Sequence, residues 1–397
     1  MPLLIVAWLL IIYGLLALFS VGVHESFVKT LGRIAEGKMS GEASNYFYFF
    51  EQLKNIVYIF VVGYVTYLIP LKIYKNKKIL IGLFVALFVL QLLVFTPRGE
   101  NYNWSSWWLA IPWFPIIQPV EFFKVGYVFF MAWRFVRKQH LLDSFSLLWK
   151  FFILNAVIFL FLAFIPDFGT VLILAPVGII IGLYAGINWK NMLAMLWIGL
   201  GWLVVMLGGL VGINRSYCRE VAVDDQPQIC RYSYIANRVE VYIDPESDED
   251  GYNASWQIRN ALIAIGGWGF LGRGYGKWLQ KFGYIPEAQS DFIFAAYAEE
   301  VGFVGILVLF VLYGSLVYIV LSRVPQVRDP FFKYIAIGLV SLLIVGAFVH
   351  IGVNIHFLPN TGVTLPFVSS GGSSLMISIL SIVLLYKILY QHPERIY

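Results

Sequence analysis

Apolar and polar residues do not alternate along this chain; they separate into long blocks. Apolar runs near residues 2–23, 53–71, 79–97, 118–137, 147–165, 169–187, 191–212, 292–322, 332–354 and 373–390 are each close to or above the roughly 20 residues that a helix needs to cross a bilayer. Ten such runs predict an all-α polytopic integral membrane protein with ten transmembrane helices. The first run has neither a basic segment before it nor a small-residue cleavage site after it, so it reads as a transmembrane helix rather than a leader. Pro166 and Gly169 punctuate the fifth and sixth runs, leaving a tight turn, Pro166-Asp167-Phe168.

The basic residues give the chain a direction. With the N-terminus placed inside, the inside connections, helix ends and tail hold fourteen Lys and Arg, among them Lys72, Lys75, Arg137, Arg328 and Lys333. The short outside connections hold five: Lys29, Arg33, Lys38, Lys54 and Arg98. Positive charge collects on the cytoplasmic side, so both termini are expected there. Residues 213–290 break the apolar pattern, with ten acidic and eight basic side chains. The alternation puts this segment outside, as a large extracytoplasmic loop between helices 7 and 8 within a single membrane domain of residues 1–397. It contains an amphipathic stretch, Trp256 to Ile265, and a glycine-rich run, Gly266 to Gly276, and reads as a partly ordered cap over the helices.

Composition agrees. The 397 residues are 60% hydrophobic and 13% charged, against roughly 25% charged in a soluble domain. With a mean hydropathy of +0.77, a water-soluble globule is excluded, as are disordered and collagen-like chains. The formal charge of +5 is small and scattered, which argues against a nucleic-acid partner. The only cysteines, Cys218 and Cys230, share the long loop, where they are either a disulfide or two free thiols.

Ionisable groups at membrane depth are expensive and mark function by default. Glu121 and Lys124 share a helix face, as a structural ion pair or as a phosphate site built on Lys124. Asp167 could cap the sixth helix or take part in chemistry. Asp291 stands where an N-cap belongs, at the water-facing mouth of the eighth helix, and Glu299 and Glu300 follow it about two turns later, where either could pair with an arginine. The segment Asn354 to Ser374 is dense in Pro, Gly, Ser and Thr and free of charge apart from His356. Such backbone survives at membrane depth only when it is buried in protein or lines a cavity, so it reads as re-entrant or as a simple turn. Gly272-x-Gly274-x-Gly276 lacks the strand and spacing of a dinucleotide fingerprint. The five histidines are scattered, so no dedicated metal site is expected; a divalent cation (Mg or Mn) would arrive on a substrate phosphate.

Taken in order, four of these segments resemble the SEDS family (shape, elongation, division and sporulation), the RodA/FtsW/SpoVE type of peptidoglycan glycosyltransferase. Gln118-Pro-Val-Glu121-Phe-Phe-Lys124 is similar to the family's Q-P-S-E-x-x-K, and Pro166-Asp-Phe-Gly-Thr170 to its P-D-x-G-T. Ile285 to Phe294 with Glu299-Glu300-Val-Gly302 resembles L-P-E-x-x-x-D-F-I-F and E-E-x-G, and Leu358 to Ser374 resembles the loop before the last helix. Departures are Val120 for Ser, Glu51-Gln52 where a basic residue commonly precedes Gln, Gln289-Ser290 for His-Thr, and no arginine ahead of the tryptophans in Asn103 to Ala110.

The resemblance implies polymerisation of lipid II into glycan strands at the outer face of the bacterial cytoplasmic membrane. Asp291 would be the general base, and Lys124, oriented by Glu121, would meet the pyrophosphate. Arg238 and Arg259 would be further cations for it, and Gln118, Asp167, Glu299, Glu300 and Ser373 would line the substrate site. The implied partner is a class B penicillin-binding protein acting as transpeptidase, in a membrane-lipid setting. Two other readings are a lipid II flippase or transporter, and a non-catalytic scaffold of the wall-building machinery.

Overall fold

A computed structural model describes residues 1–96, 99–102, 105–109, 117–138, 145–164, 167–214, 233–244, 254–277 and 283–391. Each of the ten apolar runs falls on a helix: α1 (Pro2–Val21), α3 (Phe47–Leu68), α4 (Lys77–Leu92), α5 (Pro119–Arg137), α6 (Phe145–Phe164), α7 (Phe168–Ala185), α8 (Trp189–Ile213), α11 (Ile293–Arg323), α12 (Pro330–Asn354) and α13 (Gly372–Tyr390). Of these, α1, α7, α11, α12 and α13 are long and apolar enough to cross a membrane. The chain is a mainly helical, multi-pass membrane protein.

Three further helices and a hairpin are not expected from the apolar runs. The amphipathic α2 (Val23–Ala35) follows α1, and α9 (Ser233–Ile243) and α10 (Ala254–Gly266) lie in the long polar segment. Strands β1 (Gly99–Tyr102) and β2 (Ser105–Leu109) form an antiparallel pair ahead of α5. Cys218, Cys230 and Pro166 lie outside the described residues.

Local chemistry sets the helix ends. Pro2, Pro119 and Pro330 occupy first-turn positions, where the missing N–H would have no partner in any case. The side chains of Asn76, Asp167 and Asp329 accept backbone N–H bonds at the starts of α4, α7 and α12, as N-caps do. Helix α12 is the centre of the bundle: 83% of its apolar window is buried, against 28% for α11. Around it pack α5, α7, α11 and α13. A helix apolar on all sides has to be buried or face lipid, and α12 and α11 take these two alternatives.

Side-chain contacts tie the helix ends into two sets. At one end the Lys387 ammonium, near the close of α13, donates to the carbonyls of Tyr67 (2.6 Å) and Ile69 at the close of α3, groups that α3 cannot satisfy itself. Lys75 pairs there with Asp329, and the Arg323 guanidinium lies 4.3 Å from the Tyr390 ring centroid. At the other end the Gln118 N–H, before α5, donates to Ser373 Oγ on α13 at 2.9 Å, and Asn354, closing α12, meets the first turn of α11.

Helix α11 is broken two turns in. Gly302 has φ 64° and ψ −166°, which leaves carbonyls before the break and N–H groups after it without helical partners. The glycine-rich run supplies them. Arg273 and Gly274 N–H donate to the carbonyls of Glu299 (2.9 Å) and Glu300 (3.0 Å), and Phe303 and Val304 N–H donate to the carbonyls of Gly269 and Phe270, both at 3.2 Å. Arg273 Nε adds an ion pair to Glu299 Oε1 at 2.9 Å, and Ser20 on α1 donates to Glu300. Irregular backbone inside a membrane protein persists only with such internal satisfaction.

The crossing needs bare backbone on both sides, since a Cβ on Gly272 would stand 2.1 Å from the Glu300 carbonyl oxygen. Gly272→Ala should therefore lower stability by at least about 2 kcal/mol. Gly266→Ala, where a Cβ would meet nothing within 4 Å, should change it little. Thermal unfolding of the two variants in one detergent checks the contrast.

Candidate active site at the mouth of the bundle

The turn before α11 and the uncharged loop between α12 and α13 are sewn together. Ser369 Oγ donates to the Ser290 carbonyl at 2.7 Å and accepts from Leu365 N–H at 2.8 Å. Ser370 N–H donates to the Gln289 carbonyl at 2.9 Å. His350 Nδ1 meets the Val363 carbonyl at 2.7 Å, Thr364 Oγ1 donates to Ser374 Oγ at 2.7 Å, and Tyr313 OH donates to the Pro366 carbonyl at 2.6 Å. The polar loop therefore directs its side chains inward, where they replace the secondary-structure bonds it lacks.

Asp291 is the carboxylate at this seam, and it does not cap α11. The Ala295 N–H is taken by Asn354 Oδ1 at 3.0 Å, while Asn354 Nδ2 donates to the carbonyls of Asp291 and His350, both at 2.9 Å. Asn354 is fully buried. One amide thus does the capping and also pins the Asp291 backbone, leaving the Asp291 carboxylate for other work. That carboxylate lies beside the 361–363 stretch of the loop: a Cβ on Gly362 (φ +67°) would sit 3.4 Å from Asp291 Oδ2 and 3.8 Å from Arg238 Nη1. Glycine gives the left-handed backbone here without strain.

Arg238, on α9, reaches the same place, with Nη1 donating to the Asn360 carbonyl at 3.0 Å. The side chain of Asn360 is held by Gln257 of α10 at 3.3 Å, and Tyr242 OH donates to the Phe357 carbonyl at 3.0 Å. Two helices of the long polar segment are thus docked on the loop. Burial pushes the Asp291 carboxyl up to about 6, with repulsion from Glu287 adding to the rise; Arg238 and the Ser290 hydroxyl pull it partway back.

The second charged group adjoins the same stretch of loop. Lys124 and Glu121, both buried on α5, pair at 2.7 Å. Asp167 accepts from Thr170 N–H at 3.0 Å and from its hydroxyl at 2.8 Å. Burial raises its carboxyl, and the nearby Lys124 opposes that rise more strongly than Glu121 adds to it. A Cβ on Gly169 would lie 3.2 Å from the Thr361 carbonyl oxygen, so the Asp167 turn rests against the same stretch that borders Asp291.

The remaining residues singled out from the sequence are more dispersed. The Gln118 backbone and the buried Ser373 hydroxyl bond to each other at the edge of the site. Glu299 pairs with Arg273 and Glu300 with Ser20 at the break in α11. Arg259 is exposed on α10.

Sequence reasoning passed over Asn354, His350 and Glu287. The first two are polar residues four apart inside an apolar helix, the pattern that marks buried function. Glu287 takes φ 56°, a left-handed conformation that costs a non-glycine residue about 1–3 kcal/mol.

A multi-pass helical protein with a carboxylate, two basic side chains and a bonded polar loop at one mouth defines the class. The FtsW/RodA/SpoVE family model, described as "Cell cycle protein", matches residues 1–394, and the chain belongs to that family. Among its relatives, the probable peptidoglycan glycosyltransferase FtsW of Neisseria gonorrhoeae is 30% identical, with 99% of this chain and 85% of the relative covered. The protein of the same description from Legionella pneumophila is 32% identical over 86% of this chain and 82% of its own. In solved structures, a chain from "Structural coordination of polymerization and crosslinking by a peptidoglycan synthase complex" has a TM-score of 0.68 at 20% identity, covering 98% of each chain. The rod shape determining protein RodA of Thermus thermophilus gives 0.57 at 19%, covering 98% of this chain and 97% of its own. These two share the fold.

The Asp291 environment predicts a pH dependence of stability. Its folded-state value lies above the ordinary 3.8, so the folded chain holds the proton more tightly than the unfolded one. That stabilisation is complete below the unfolded value and is lost as pH rises through about 6. Asp291→Asn should therefore unfold at a higher temperature than wild type at pH 7.5, and the gap should close as pH falls toward 4. Thermal melts of both proteins across that range provide the measurement.

Proposed function

We propose that the chain is a peptidoglycan glycosyltransferase that polymerises lipid II into glycan strands at the outer face of the cytoplasmic membrane, with Asp291 as general base. One observation carries the reading. The Asp291 carboxylate is released from capping by Asn354 and, together with Arg238, borders Gly362 of the polar loop. All ten apolar helices span the bilayer, both termini are cytoplasmic, and residues 213–290 form the extracytoplasmic cap. The bonding of Lys387, Lys75 and Arg323 at the end opposite Asp291 supports this orientation, because positive charge collects inside.

In the reaction, the acceptor sugar hydroxyl loses its proton to Asp291 Oδ as its oxygen bonds to the anomeric carbon of the donor. The bond from that carbon to the polyprenyl pyrophosphate breaks, and its electron pair leaves with the pyrophosphate. A base with a value near 6 suits the step, being ionised at neutral pH while still able to hold a proton. The leaving group is already an anion and needs positive charge rather than an acid. Arg238, which borders Gly362 with Asp291, and Lys124, near Asp167, would supply it, with Glu121 setting the position of Lys124. A divalent cation would travel on the substrate's pyrophosphate.

Gln118 and Ser373 border the site. Arg259, Asp167, Glu299 and Glu300 would act on substrate through longer reach or through their neighbours. A class B penicillin-binding protein would crosslink the product strands.

Purified full-length chain given labelled lipid II should form glycan polymer. Asp291→Asn should lower the rate by at least about 100-fold, and Lys124→Met should weaken lipid II use by about tenfold or more. Polymer made by Asp291→Asn at the wild-type rate would remove the base assignment. Transbilayer movement of lipid II without any polymer would favour the transporter reading.

A further inference from the structure

The turn that presents Asp291 is built on a residue that the mechanism above leaves without a part. Glu287 is in the left-handed region at φ 56°, and its carbonyl accepts the N–H groups of both Ser290 and Asp291 at 3.0 Å. Its carboxylate is held as well: Oε2 accepts from Gln289 Nε2 at 3.0 Å and from Ser290 Oγ at 3.1 Å. The neighbours that bind it are themselves fixed to the loop, Gln289 through Ser370 and Ser290 through Ser369. A side chain other than glycine persists in this conformation only when its surroundings determine it several times over, and here backbone and carboxylate both do so.

We propose that Glu287 is a positioning residue for the transfer step, its carboxylate bonded to the Ser290 hydroxyl directly before Asp291 and setting how strongly Asp291 holds the acceptor's proton. The inference rests on the reading of Asp291 as the base. Two negative groups held close together disfavour joint ionisation, and Glu287 is the neighbouring acid that adds to the upward displacement of Asp291. The charge balance at the turn includes Arg238 of α9, which acts on Asp291 in the opposite sense. On the other side Glu287 neighbours Glu25 of α2, itself beside Lys29, and Tyr48 of α3, which Glu51 also approaches. His24, at the start of α2, stands next to Gly283, where a Cβ would lie 3.1 Å from its Nε2.

The test is the pH profile of polymerisation by the full-length chain with lipid II. Wild-type rate should rise with pH to a plateau, with an acid-limb midpoint near that of Asp291. Glu287→Gln keeps the size and an acceptor oxygen but removes the charge, so it should move the midpoint down by about one pH unit. It should also lower the plateau, because a weaker base accepts the proton less readily. Glu287→Asp, which restores the charge, should return the midpoint to its wild-type position. His24→Gln should leave it unmoved.

A folded Glu287→Gln protein with an unshifted or upward-shifted limb would overturn the proposal, as would a limb that moves with His24→Gln. Asp291→Asn separates the two levels of inference. If that variant is inactive while Glu287→Gln leaves the limb in place, only the role of Glu287 fails. If it polymerises normally, the base assignment fails first.

Discussion

The buried amide of Asn354 is the interaction on which the mouth of this bundle depends. A helix beginning in a protein interior must find partners for its first N–H groups, and the nearest acid in sequence, Asp291, would be the obvious one. Asn354 takes that place from the end of α12, and its amide nitrogen fastens the Asp291 carbonyl and its own helix. The central and best-buried helix of the fold is thereby made the reference point for the carboxylate. The division of labour between amide and acid is what lets a residue at a helix start be chemically available.

Around this point the site uses charge sparingly. One arginine from the long polar segment, one lysine from α5 and four acids (Glu121, Asp167, Glu287 and Asp291) stand around a loop whose buried polar side chains, Asn360, Thr361 and Ser369 among them, are neutral. The loop's contribution here is largely backbone: the Asp167 turn rests on the Thr361 carbonyl and its neighbours, and Asp291 and Arg238 border Gly362. Charged groups gathered around one stretch of loop suit the proposed substrate, which has a sugar at one end and a pyrophosphate at the other.

Much of this was legible in the sequence. Ten apolar runs gave ten helices because length and unbroken hydropathy are sufficient signals, and the motifs around Glu121, Asp167, Asp291 and Leu358 to Ser374 marked the segments that meet at the mouth. What escaped the reading depends on distant partners. The Gly272-x-Gly274-x-Gly276 run carries no meaning until Gly302 breaks α11 beside it. Asp167 and Asp291 look alike as helix-start acids; the first is bonded to Thr170, whereas the second is relieved of that duty by a residue 63 positions away. Helices α2 and α9 are short and amphipathic, so they give no spanning signal, whereas α10 falls on the amphipathic stretch marked at Trp256 to Ile265; the hairpin strands are too short to show a period.

The interruption in α11 has a mechanical corollary. Upstream of Gly302 the helix is indexed to the glycine-rich run and to Asn354, while downstream of it a long, poorly covered rod meets the lipid. A bilayer of different thickness, or a neighbour leaning on that rod, would load the joint first. The two turns that follow Asp291 and the rod beyond them are thus fastened to one strap of glycine-rich backbone, through which any load on the rod must pass.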